Sequence, residues 1–144
     1  MAREGRVFFE EVGDATLLRW LDLELSGYGR HPDVVPLHEV LGVAAGDRLA
    51  VHVAAYRTQT GHIWQPEPGQ GAPFRHFFVE PLADLASTSA RVRGLTPDLV
   101  ELEFGAHAGA PGYPSRLEFR KVVFEQILLG FRAVLHLRLR DLAP

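Results

Sequence analysis

Residues 131–140, FRAVLHLRLR, constrain the fold of this chain more than any other stretch. Phe131, Ala133, Leu135, Leu137 and Leu139 fall on one side of an extended backbone. Arg132, His136, Arg138 and Arg140 fall on the other, with Val134 the exception. Successive side chains of a strand point to opposite faces, so this alternation specifies a strand with one face on a core and one in water. A second periodicity runs through the same region: Val123, Ile127, Phe131, Val134, Leu135, Leu139 and Leu142 make a helical stripe in a segment of good helix formers. Gly130 in the middle of that stripe and the strict HLRLR alternation favour the strand, and the whole chain then reads as sheet-based.

Further extended segments are expected at 6–12, 20–26, 48–56, 74–80, 90–94 and 98–104. In 48–56, Leu49, Val51, Val53 and Ala55 share a face; in 98–104, Val100, Leu102 and Phe104 turn inward and Glu101 and Glu103 outward. Residues 116–124 read as a strand whose inward phase shifts from Leu117 and Phe119 to Val122 and Phe124, which predicts a bulge near Arg120 and Lys121. A short helix is expected after Pro36, ended by Gly42, and one helical turn over 81–86. Residues 27–36, 58–73 and 105–115 are loops by composition.

Short strands joined by Gly/Pro loops, without a regular run of helices between them, favour antiparallel pairing. The expectation is one α+β domain over residues 1–144: a twisted antiparallel β-sheet, or two packed sheets approaching a barrel, with one or two short helices. A chain of 144 residues buries enough surface to need no staple. It has no cysteine, which excludes disulfides, thiolate metal sites and a cysteine nucleophile. No apolar leader is visible in residues 1–13, and no stretch reaches the ~18 apolar residues of a membrane span. These features point to a cytoplasmic setting without a membrane partner. Fourteen of the fifteen cations are arginine, a bias that suggests a GC-rich bacterial genome.

The net charge of −3 argues against non-specific nucleic-acid binding. It is uneven: residues 116–144 carry six cations and three acids. The arginine face of the last segment (Arg132, Arg138, Arg140) reads as a solvated face that protects a sheet edge.

No nucleotide-binding glycine motif, phosphate loop, HExxH, GxSxG or EF-hand loop occurs. The seven histidines include no HxH pair, so no metal site and no cofactor is assigned, and catalytic residues stay unassigned. The segment YRTQTGHIW with the later FRHFF places aromatics beside hydrogen-bonding cations. Tyr56, Arg57, His62, Trp64, Arg75 and His76 are therefore the candidate ligand-binding set, suited to an anion, a planar ligand or a protein surface.

Residues 35–53, VPLHEVLGVAAGDRLAVHV, resemble the short-helix, turn and strand element of swapped-hairpin transcription factors, in which a proline-started helix leads to LGxxxGDRLxVxV. The likeness implies a DNA-binding role. It covers 19 of 144 residues, and the preceding GYGRHPD supplies one arginine and one aspartate where that family carries basic contacts. Three functions follow in order: a non-catalytic binding or accessory protein, inhibitor- or immunity-like, with a protein partner or forming a homodimer; a β-barrel enzyme or binder of a small ligand or metal with its site near the 56–76 loop; and a swapped-hairpin-like DNA-binding protein.

Overall fold

The computed structural model describes residues 14–104 and 112–142. The chain runs α1 (Ala15–Ser26), α2 (Leu37–Leu41), α3 (Arg48–Arg57), β1 (Thr58–Ile63), β2 (Pro73–Phe77), α4 (Leu82–Arg93), β3 (Leu99–Glu103), β4 (Arg116–Arg120) and α5 (Val122–Leu142). The strands form one sheet in the order β2-β1-β4-β3, every neighbouring pair antiparallel. The α+β class and antiparallel pairing stand. The sheet is open, so neither the barrel nor the two-sheet form is adopted, and the described residues hold five helices where one or two were expected. The strand expected at 6–12 lies outside the described residues.

The alternating 131–140 segment is helical. It belongs to α5, whose buried residues Val123, Phe124, Ile127, Phe131, Val134 and Leu135 follow the 3.6-residue stripe. Of the alternating set, Ala133 is exposed and Leu137 and Leu139 are only half-buried. A stripe extending over 21 residues, about 31 Å of helix, offers more continuous apolar contact than a ten-residue strand face. The same correction applies at three other places. Residues 20–26 belong to α1, where Leu17, Trp20, Leu21 and Glu24 make the buried face. Residues 90–94 end α4, whose buried residues are Leu85, Ser89 and Val92. Residues 48–56 fall in α3: Leu49, Ala50, Val53, Tyr56 and Arg57 are buried, while Val51 is 55% exposed and Ala55 also faces water. Asp47 starts α3 by accepting the Leu49 N–H at 2.9 Å, an N-cap at a position that had read as a turn before a strand. Residues 35–53 are therefore helix–turn–helix, so the strand of the swapped-hairpin element is absent.

Local signals were followed where they were unambiguous. α2 begins after Pro36 and stops at Gly42, which is left-handed with φ 72°. β3 buries Val100 and exposes Glu101 and Glu103. The phase shift after Arg120 is a change of element: Lys121 is a turn and α5 begins at Val122, so no bulge is needed.

The buried apolar residues form one continuous cluster. α3 and α4 pack on α5, and α1 packs on α4. Phe78 joins this helical layer to the sheet, touching Phe119 of β4 (ring centroids 5.1 Å) and Phe124 of α5 (5.7 Å). Gly130 is the point where α3 comes closest to α5: a Cβ there would lie 2.3 Å from Tyr56 Cβ. In an ordinary helix Gly→Ala gains about 1 kcal/mol. Here the overlap reverses the sign, and Gly130→Ala is expected to destabilise by about 1–3 kcal/mol. Urea denaturation should show a lower midpoint with an unchanged m value; a raised midpoint would contradict this α3–α5 contact.

Candidate functional site

The six sequence candidates go to three separate places. Tyr56 and Arg57 end α3 and turn into the interior, onto Glu24 of α1. Glu24 is fully buried, the one charged residue on the apolar face of its helix. Its Oε1 accepts from the Trp20 indole N–H at 3.1 Å, from the Tyr28 hydroxyl at 2.7 Å and from the Tyr56 hydroxyl. Its Oε2 pairs with Arg57 Nη2. Arg57 also donates through Nη1 to the carbonyls of Phe78 (2.8 Å) and Glu80 (2.7 Å), and its guanidinium lies over the Tyr28 ring at 4.8 Å.

This centre ties α1, the segment after it, α3 and the link from β2 to α4 to one another. Burial opposes the charge on Arg57 most strongly, but the charge and hydrogen bond of Glu24, together with Tyr28 and Tyr56, hold the guanidinium above its ordinary value. Burial, then the charge of Glu24, pushes both tyrosine hydroxyls well above theirs, so they remain protonated donors. The Trp20 indole, both tyrosine hydroxyls and the two terminal amines of Arg57 donate to protein acceptors, while Arg57 Nε is buried without one.

His76 enters a second place, the inner face of the sheet. The register sets Gln59 opposite His76 and Thr60 opposite Arg75, so His76 and Arg75 point to opposite faces. The His76 ring lies among Phe78 (4.5 Å), Phe104 (4.4 Å) and Phe119 (5.9 Å), with His31 at 5.8 Å. Phe104 follows β3 and His76 is on β2, the opposite edge strand, so the sheet curls strongly enough to bring two of its corners together. His76 Nδ1 is hydrogen-bonded to the Tyr113 hydroxyl. Burial lowers the pKa of His76 to about 3, with His31 adding to the effect; burial also lowers that of His31 and raises that of the Tyr113 hydroxyl.

The third place is the outer face, reached by His62, Trp64 and Arg75. His62 sits opposite Glu118 in the β1–β4 register. The Trp64 ring stacks under the Arg116 guanidinium at 3.9 Å, and Arg116 also donates through Nε to Glu101 at 2.5 Å. The β1–β2 loop folds back across this face, since a Cβ on Gly69 would meet Leu99 Cδ1 of β3 at 3.7 Å. Glu118 is buried on this face, and its Oε1 has no hydrogen-bond partner. His107, another loop histidine of the sequence, lies outside the described residues. Among the described residues no three His, Asp or Glu side chains are grouped to hold a metal ion.

A further depression lies elsewhere, in the helical layer. A cleft of about 490 Å³ runs between the end of α1, the start of α4 and the middle of α5. Leu25, Leu82, Ala83, Ala86, Leu128 and Phe131 line it, and among the described residues Arg132 is its one charged member. None of the six sequence candidates lines it. The signal for it was divided among three helices, two of them expected as strands. The signal for the Glu24 centre was present: Trp20 and Glu24 are one turn apart on an apolar helical stripe, where an acid demands a buried partner.

The geometry around His76 fixes an acid response. The folded-state pKa lies below the unfolded 6.5, so below pH 6.5 the unfolded chain binds the extra proton. The stability contributed by a neutral His76 is complete above about pH 6.5 and falls by about 1.4 kcal/mol per pH unit on acidification towards 3. His76→Phe should flatten the dependence of unfolding free energy on pH between 6 and 4 by close to one proton. An unchanged slope in urea titrations at several pH values would contradict a neutral, buried His76.

No family model matches the chain, and no curated protein or solved structure matches it.

Proposed function

We propose that this chain is a non-catalytic binding protein of the bacterial cytoplasm, an accessory or inhibitor-type module that acts by gripping another polypeptide with its helical layer. The observation that carries the reading is the division of chemistry over the molecule. The side chains most capable of catalysis or of anion binding, Arg57, Tyr56 and His76, are buried in contacts with the protein itself. The cleft in the helical layer is instead mostly apolar, with Arg132 in its lining. An exposed apolar cleft with a single cation at its rim suits an apolar helix carrying a carboxylate, because aliphatic contact supplies affinity and one charge fixes orientation. Leu25 at its edge is 38% exposed, consistent with a surface that a partner covers.

Ala83 and Ala86 are exposed on the cleft wall, so an arginine at either position fills the cleft without entering the core. Affinity purification of the full chain from its native extract should retain a defined polypeptide. Ala86→Arg should abolish that retention, and Arg75→Glu on the outer sheet face should leave it unchanged. The opposite pattern would refute the reading. So would a bound transition metal in the purified protein, or a large thermal shift with one small anion, because a ligand specific to the folded state raises apparent stability.

A further inference from the structure

A second cavity, of about 190 Å³, lies where the end of α4 meets the start of α5. Ser89 and Arg93 of α4, Asp98, Lys121, and Val122 and Glu125 of α5 are in its wall. Ser89 is 6% exposed, yet among the described residues its hydroxyl has no hydrogen-bond partner. α5 starts directly after Lys121, whose ammonium cannot accept a hydrogen bond. No described side chain accepts from the N–H groups of Val122, Val123 or Phe124, so a helix of 21 residues presents an open positive end here. Arg93 has no ion pair among the described residues, and Lys121 spends one of its three ammonium protons on the Leu95 carbonyl. Of the two acids, Asp98 is held by Arg120 at 3.0 Å, whereas Glu125 is exposed and unpaired.

We propose that this cavity is a socket for the C-terminal carboxylate of the polypeptide that the helical layer grips. The inference rests on that binding reading and adds where the gripped chain ends. A carboxylate in the socket meets the Ser89 hydroxyl, the first N–H groups of α5 and the charges of Arg93 and Lys121 together. Those two cations exceed the one unpaired acid by a single charge, which suits a monoanion better than a phosphate. Glu125 favours a chain end over an acidic side chain: the last peptide N–H of a chain is a donor beside the carboxylate, and Glu125 is an acceptor beside the socket. Position agrees. Leu82, Ala86, Ser89 and Arg93 follow one another at four, three and four residues on one face of α4, and Arg132, Leu128 and Glu125 at four and three on α5. The cleft and the socket therefore share one face of the α4–α5 pair, with Ala86 and Arg93 about 10 Å apart. A helix ending in the socket sets the side chains of two turns earlier into the cleft. The chain end alone is held weakly, and apolar contact in the cleft supplies most of the affinity.

An NMR titration of the full chain at pH 7 and constant ionic strength, with N-acetylglycine to roughly 100 mM, reads the socket directly. Saturable shifts are expected at the amides of Val122, Val123 and Phe124, and none with neutral N-acetylglycinamide. Arg93→Gln, Lys121→Gln and Ser89→Ala should each weaken binding about threefold or more. Propionate, which lacks the peptide N–H, should bind more weakly, and Glu125→Gln should narrow that difference. No saturable shift at the start of α5, equal response to the neutral amide, or variants that bind like the wild type overturn the socket. Propionate binding as tightly as N-acetylglycine overturns the chain end. If the socket fails while Ala86→Arg still loses a polypeptide from extract, the binding reading stands without it.

Discussion

A carboxylate and a guanidinium share the dry centre of this molecule, and its architecture depends on their meeting. Glu24 and Arg57 are both fully buried, and three aromatic donors converge on the same carboxylate. Removing two charges from water costs several kcal/mol per ion, and only a pair with its remaining hydrogen-bonding capacity filled recovers that cost. The other amine of Arg57 holds two carbonyls of the segment that leaves β2 for α4. Removing one member leaves a buried charge uncompensated and loosens four segments together.

That dependence explains why chemistry legible in the sequence did not mark a surface site. Tyr56, Arg57, His62, Trp64, Arg75 and His76 were correctly seen as neighbours along the chain. Strand alternation then parted His76 from Arg75, and the end of α3 turned Tyr56 and Arg57 inward. The partner that gives Arg57 its role stands 33 residues earlier on α1, beyond any local pattern. Elements with self-sufficient signals were readable: the α2 stop at Gly42, and the inward and outward sides of β3. Elements carrying two periodicities were not. Leu49, Val51, Val53 and Ala55 alternate, yet the Asp47 cap and the Ala50, Val53 and Arg57 positions fit a helix, and tertiary contact with α5 chose between them. The step after Arg120 was detected as a shift of phase; what it marked was a change of period from 2 to 3.6.

The interior and the surface are complementary in this account. Histidine, tyrosine and arginine are consumed in holding the sheet and the helical layer together, and the helices carry on their outer side the apolar residues that a buried face would ordinarily hide. No helix among the described residues is long and apolar enough to cross a membrane.

A double-mutant cycle between Glu24 and Arg57, followed by urea unfolding at pH 7, tests the central interaction most directly. Glu24→Gln and Arg57→Met alone should each cost about 3–5 kcal/mol. The double variant should cost clearly less than the sum of the two, leaving a coupling of about 2 kcal/mol or more. Additive losses, or single variants as stable as the wild type, would show that the helical layer and the sheet are held together by something other than this buried pair.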